Sequence, residues 1–292
     1  MSGFIGVAVL TDTTALAADL YTKAAPVSAI AGPAVDGVNW KFDGLAGSFA
    51  DRNIYGGRGA VTVPLGSQLG LQVDGGLGNF DSRFFGSVAG HLFQRDPSRG
   101  LFGLYVNHTH WSQFSGLHVT QVAGEGEAYL GRWTLQGIAG VETGNSATHV
   151  TTVINSPFIT SYTTTVDIRT RFFDQINLAY YFTDNLKGFV GHRYLGGKNA
   201  LAIGAEYGIP VGGGKLAALF VEGRVGDHES RGVWGGVRFY FGQKDKPLMQ
   251  RHRQDDPLMD WMPASLLSIT SQFKNTSRTW CLNGELVQNG CV

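Results

Sequence analysis

From Val38 to Phe241 the sequence breaks into extended segments of roughly ten residues, each alternating apolar and polar side chains and each bounded by Gly, Asp, Asn, Ser or Pro. About twelve such segments follow one another. In QLGLQVDGGLG (68–78), Leu69, Leu71, Val73 and Leu77 share one side and Gln72 and Asp74 the other. In KLAALFVEGRV (215–225), Leu219, Val221 and Val225 oppose Phe220, Glu222 and Arg224. A period of two specifies strands with one oily face and one charged face. Helices are disfavoured throughout, because 42 glycines and only 16% charged residues leave little for a helical period to build on.

Two architectures share this alternation: a soluble all-β binding protein that buries its oily face, and a barrel that turns it toward lipid. Three features favour the barrel. Small residues (Gly86, Gly137, Ala139, Gly235) recur on the oily face, where a soluble core would be left poorly filled. Aromatic residues gather at segment ends (Phe80, Phe93, Trp111, Trp133, Tyr180, Phe182, Tyr240, Phe241), where a membrane barrel places interfacial girdles. Every second connection is short, near 66, 96, 131, 183 and 211. The intervening set includes a Thr- and Ser-rich stretch from Thr143 to Thr164, read as a long outer loop. The fold expected is all-β: an antiparallel transmembrane β-barrel of about twelve strands over residues 38–242, with a short C-terminal extension.

Lys+Arg and Asp+Glu are equal at 23 each, so no global field points to nucleic acid. No apolar run is long enough for a transmembrane helix. The apolar run FIGVAVL (4–10) and the small-x-small site Ala15-Leu16-Ala17 mark residues 1–17 as a signal peptide and imply export. Residues 18–37 read as an Ala/Pro-rich linker.

Two stretches carry a resemblance. ADLYTKAAP (18–26) resembles the mature N-terminus of alphaproteobacterial porin-like outer-membrane surface antigens, which begin Ala-Asp-Leu and soon reach Lys-Ala-Pro. Gly236-x-x-Phe239-x-Phe241 resembles the last-strand signal recognised by the barrel-assembly machinery. The resemblance implies a small outer-membrane barrel of a Gram-negative bacterium, among outer-membrane lipids, with passive transport of small polar solutes or a structural role. In that family the signal closes the chain, whereas here fifty-one residues follow Phe241.

Alternation sends Lys41, Arg58, Arg169, Arg171, Lys187, Arg193, Arg224 and Arg238 into the lumen, opposed by Asp43, Asp74, Glu125, Glu127, Glu142, Glu206 and Glu222. Such a lining serves either a two-signed pore or an interior sealed by ion pairs. A lipid A-modifying enzyme is the catalytic alternative, because His110-x-Ser112 followed by Glu125 resembles the His-x-Ser and later Glu of outer-membrane lipid A deacylases. The plainer reading makes His110 and Ser112 polar rim residues. His149, His228 and His252 lie far apart without ligand spacing, so neither a metal nor a cofactor is expected.

The tail, 243–292, opens with the charged, solvated-looking QKDKPLMQRHRQDD and continues into an apolar stretch from Leu258 to Ile269. An even strand number places the tail in the periplasm beside the N-terminus. There it either folds back to occlude the lumen or engages a periplasmic partner. Cys281 and Cys291 bracket turn signals and are expected to form a disulfide in an oxidising compartment.

Overall fold

The structure is a computed structural model that describes residues 32–226, 230–257, 261–270 and 272–281. Its strands are β1 (Asn39–Phe49), β2 (Arg52–Pro64), β3 (Leu69–Phe80), β4 (Arg83–Asp96), β5 (Gly100–Trp111), β6 (Leu117–Leu130), β7 (Trp133–Gly144), β8 (Ser146–Asn155), β9 (Phe158–Asp167), β10 (Arg171–Thr183), β11 (Leu186–Leu195), β12 (Lys198–Gly212), β13 (Lys215–Gly226), β14 (Gly232–Phe241) and β15 (Phe273–Cys281). Two helices, α1 (Leu248–Gln254) and α2 (Trp261–Thr270), lie between β14 and β15.

Twelve strands close into a barrel in the order β1-β14-β13-β12-β11-β10-β7-β6-β5-β4-β3-β2. The closing seam is antiparallel, with Trp40 opposite Phe241 and Phe49 opposite Gly232. The alternation holds in three dimensions. Gln72 and Asp74 are buried while Val73 and Leu77 are exposed, and Glu222 and Arg224 are buried while Leu219, Val221 and Val225 are exposed. On β14, Phe239 and Phe241 point outward, and Trp234 and Tyr240 point inward and are buried. Gly236 sits where the seam is tightest, since a Cβ there would collide with the Gly44 carbonyl oxygen across from it.

The chain enters β1 and leaves β14 at one end of the barrel, the entry end. The turns near 66, 97, 131, 184 and 213 also lie there, as the parity of the segments requires. The far end departs from expectation. Its connections at Ala50-Asp51, Asp81-Ser82 and Gly196-Gly197 are equally tight, and both residues of each pair have positive φ, as type I′ hairpin turns demand. The stretch from Thr143 to Thr164 is not an irregular loop. It forms the hairpin β8–β9, which leaves the wall while β7 pairs directly with β10, Glu142 opposite Arg171. Its threonines and valines favour an extended chain, and with polar groups on both faces it needs no place in the wall.

The aromatic positions also need correction. Trp133, Phe182 and Phe241 are exposed and Tyr180 is half-buried, stacking toward Trp133 at 4.6 Å, all at the entry end. Phe80, Phe93, Trp111 and Tyr240 are buried inside. Trp111 donates its indole N–H to the Phe80 carbonyl at 3.1 Å, and with Phe49 and Phe85 it joins a cluster that closes the far end. Each of these four lies in phase with the inward set of its own strand, Phe80 with Gln72 and Asp74, Trp111 with Asn107 and Thr109, so position at a strand end does not decide the face; parity does.

The largest correction concerns the tail. Residues 248–256 are not solvated. Arg251, His252, Arg253, Gln254, Asp255 and Asp256 are all buried, and α1 lies in the entry end of the bore. Here the Met249 N–H donates to the Asp184 carbonyl at 2.9 Å and Arg253 to the Trp133 carbonyl at 2.9 Å. α2 lies farther along the bore, where Leu266 and Ile269 pack in the far-end cluster with Trp111 and Phe173. β15 then pairs with β9, Phe273 opposite Val166 and Cys281 opposite Phe158, making the three-stranded sheet β15-β9-β8. The tail therefore runs through the barrel, and its described course ends at Cys281 at the far end, away from the end where the chain enters β1; the termini themselves lie outside the described residues. Cys281 is buried at the end of β15; its expected partner Cys291, and the signal peptide, lie outside the described residues.

The seam supplies a test. Gly236→Val should prevent proper pairing of β1 with β14, costing on the order of 1–3 kcal/mol through overpacking, and should abolish the heat-modifiable gel mobility of the folded barrel. Gly124→Ala, which meets no atom within 4 Å, should keep it.

Candidate functional site

The candidate site is the lumen together with the tail inside it. Cross-strand register builds its charge pairs directly. Asp43 stands opposite both Arg58 on β2 and Arg238 on β14, and bonds them at 2.7 and 2.8 Å. Lys187 stands opposite Glu206 and pairs with it at 3.2 Å, and Arg238 reaches the same carboxylate at 3.2 Å. Glu222 takes Arg193 at 3.5 Å and Arg224 at 2.8 Å. The Phe220 ring lies under the guanidinium groups of Arg58 and Arg238, and the Trp234 ring under that of Arg224 at 4.8 Å. Shared carboxylates and aromatic faces keep these cations satisfied away from water.

The other wall is built on carboxylates, neutral polar groups and one histidine. His91 has both ring nitrogens committed, Nε2 to Asp74 at 2.9 Å and Nδ1 to Glu125 at 2.7 Å. Gln72 donates to Asp74 at 2.8 Å, and Thr62 bonds both Gln72 and Asp256 of the tail. Glu127 accepts from Tyr129 and Gln136. Glu142 accepts the Gly196 N–H at 2.7 Å and the hydroxyl of Ser268 on α2.

The tail is held by side chains of the wall. Lys41 donates to the Pro257 carbonyl at 3.1 Å, Ser265 donates to Asn107 at 3.0 Å, and Arg253 donates to Thr134 at 3.0 Å. At the centre of the entry end, His252 lies between two tyrosines, with Nε2 2.9 Å from the Tyr240 hydroxyl and Nδ1 2.8 Å from the Tyr181 hydroxyl. Tyr240 donates its proton to Glu206 at 2.6 Å, so it accepts from Nε2–H, and Nδ1 is left to accept from Tyr181. The network thereby selects one neutral tautomer. At the mouth, Lys246 bridges Asp36 at 3.2 Å and Asp255 at 2.7 Å. A small cavity of about 50 Å³ remains in the lumen, lined by Gln136, Asn177, Lys187, Arg193, Phe220 and Glu222 among others.

The charged residues expected in the lumen are there with two exceptions. Arg171 stands at the far rim, where it donates to the Gly196 carbonyl at 3.0 Å. Arg169 is not in the lumen: it lies exposed between β9 and β10, paired with Asp167, because the chain leaves the wall there and the alternation is interrupted. His110, Ser112 and Glu125 are not brought together. Glu125 turns inward to His91, while His110 and Ser112 are exposed and the Ser112 hydroxyl donates to the Phe84 carbonyl. Thr62, His91, Asn107, Gln121 and Thr134 were missed as lining residues; their inward parity was the available signal. Among the described residues no group of three or more His, Cys, Asp and Glu is placed to hold a metal.

No protein-family model matches the sequence, and no curated protein matches it. Among solved structures, the chain is similar to an outer membrane channel from Pseudomonas putida F1, at 11% identity over 74% of this chain and 98% of that one, with a TM-score of 0.45. It is similar to the translocator domain of autotransporter NalP from Neisseria meningitidis at 13% identity, over 70% and 88% of the two chains, with a TM-score of 0.40. It is also similar to the Acinetobacter baumannii outer membrane protein Omp33 at 7% identity, over 71% and 98%, with a TM-score of 0.35.

His252→Phe removes both tyrosine contacts while filling the space. At about 1 kcal/mol for each hydrogen bond, opening of α1 from the wall should become roughly thirtyfold more frequent. Amide exchange over residues 248–257 in the folded protein should report it, with the barrel strands unchanged.

Proposed function

We propose that this chain is an outer-membrane β-barrel channel for small polar solutes whose own C-terminal tail holds the lumen shut. The observation that carries the reading is the tail's course through a charged bore, bonded to the wall at both ends by Lys41, Thr134, Asn107 and Glu142. The outer face supports a membrane setting. Leu104, Leu201, Ile203 and Val225 are each more than half exposed, on strands spread around the barrel. Water tolerates contiguous apolar surface of only a few hundred Å² on a monomer, whereas lipid accepts it and requires the closed ladder this barrel has. Trp40, Trp133 and Phe182, exposed at the entry end, suit one interface.

The export signal read in the sequence supports placing the entry end in the periplasm, which puts β15 and the β8–β9 hairpin outside. The two-signed lining favours weak ion selectivity over a specific filter. Gly236, Phe239 and Phe241 on the closing strand are proposed as the signal to the assembly machinery. A lumen filled this way also suits a purely structural barrel, and conductance separates the two readings.

In planar bilayers the full chain should show little or no conductance, and a variant lacking residues 247–292 should open distinctly larger steps while keeping heat-modifiable mobility. Silence from both would favour the structural barrel. A tag after Val292 should be labelled on intact cells, and one inserted before Gly32 only after permeabilisation; the reverse pattern would overturn the orientation.

A further inference from the structure

The sheet β15-β9-β8 is not explained by closure of the channel. Register places Lys274, Thr276, Arg278 and Trp280 of β15 on one face, beside Ser161 and Thr163 of β9. The opposite face seats the sheet on the barrel: Phe273 stacks on Trp111 with ring centroids 5.9 Å apart and lies under the Arg52 guanidinium at 5.0 Å. The first face is thereby left free, starting at the barrel's far rim and running away from it along β15. It carries a concavity of about 280 Å³ lined by Ser161, Thr163, Thr276, Arg278 and Trp280. That is close to the lower end of the range for small-molecule sites.

We propose that this face binds the phosphorylated sugar headgroup of the outer-leaflet glycolipid, an inference that rests on the far end facing outside. The chemistry is complementary at three points. The Trp280 ring offers a flat apolar surface to a sugar ring. Ser161, Thr163 and Thr276 offer hydroxyls that donate and accept as sugar hydroxyls do. Arg278 and Lys274 supply positive charge for phosphate, and Arg278 makes no ion pair with any described residue. The acidic residue at the edge of this face, Asp167, is held by Ser146 and Arg169 and also lies within electrostatic reach of Lys274, so Arg278 carries most of the free positive charge. A leaflet headgroup and a free phosphorylated sugar share this chemistry; the headgroup is favoured because the base of the sheet, Phe273 against Trp111, ties the face to a barrel that sits in the leaflet. Thr276, Arg278 and Trp280 come from the tail, so the site is assembled only when the tail has passed through the barrel.

The test uses the full chain folded in detergent, titrated with the fully deacylated bisphosphorylated glucosamine disaccharide and with its dephosphorylated form. The phosphorylated sugar should bind, the dephosphorylated one should not, and Arg278→Gln should lower affinity about tenfold, the loss of one charge-assisted contact. Arg99→Gln, an exposed arginine at the entry end, should change nothing. Equal binding of the two sugars, no binding of either, or an unaltered Arg278→Gln variant would overturn the site. Because binding is read in detergent, it stands apart from conductance. Sugar binding combined with a shielded tag after Val292 would overturn the leaflet headgroup as occupant.

Discussion

Twelve strands closed into a tube satisfy every ladder hydrogen bond, but they enclose a bore wider than their own inward side chains fill. The inward positions are also charged, because the outward ones must be oily for lipid. Buried charge without a partner is costly by several kcal/mol for each ion. The structure meets the constraint twice over: register sets opposite charges face to face, as at Asp43 with Arg58 and Arg238, and the tail fills the space that remains along one wall.

This explains why a segment as polar as QKDKPLMQRHRQDD is buried. In water its charges would be solvated, but in this bore they meet partners: Lys246 meets Asp36 and Asp255, Arg253 meets the Trp133 carbonyl and Thr134, and Asp256 meets Thr62. The two arginines of the last turn of α1, Arg251 and Arg253, also lie at the favourable end of its dipole. Farther in, the contact becomes apolar, with Leu266 and Ile269 against the aromatic cluster around Trp111. The tail is thus gripped by polar bonds at the entry and by packing at the exit. Only a small cavity of about 50 Å³ is left beside it, against the charged wall.

The two ends of the barrel differ chiefly in what rises from them. Outward aromatics occur at both, Trp133 and Phe182 at the entry end and Phe84 and Phe172 at the far end, but only at the far end do β8 and β9 rise from the wall and receive β15. A segment that passes through the bore and pairs on the other side has a natural stop against backward slippage. The nine paired residues of β15 supply it, and Phe273 packed on Trp111 fixes its base.

The period of two by itself determined the class, the closure into twelve strands and the side on which nearly every charged residue lies, because each strand's register is dictated by one oily face and a slip of one residue would invert it. It also determined the faces of the closing strand, where Phe239 and Phe241 face out and Arg238 faces in. It did not reach Arg169, where the chain leaves the wall and parity lapses; Phe80 and Trp111 follow the parity of their strands, and reading them as interfacial residues from their place at strand ends misplaced them. Nor did it reach the tail. Alternation is local, whereas the tail's place was decided by a lumen that exists only once β1 meets β14: a bore lined with unfilled charge, into which a charged segment and a short apolar helix fit better than into water. His252 shows the difference most clearly. In the sequence it is an isolated histidine among arginines, and in the barrel it is bonded at both nitrogens by tyrosines 71 and 12 residues away.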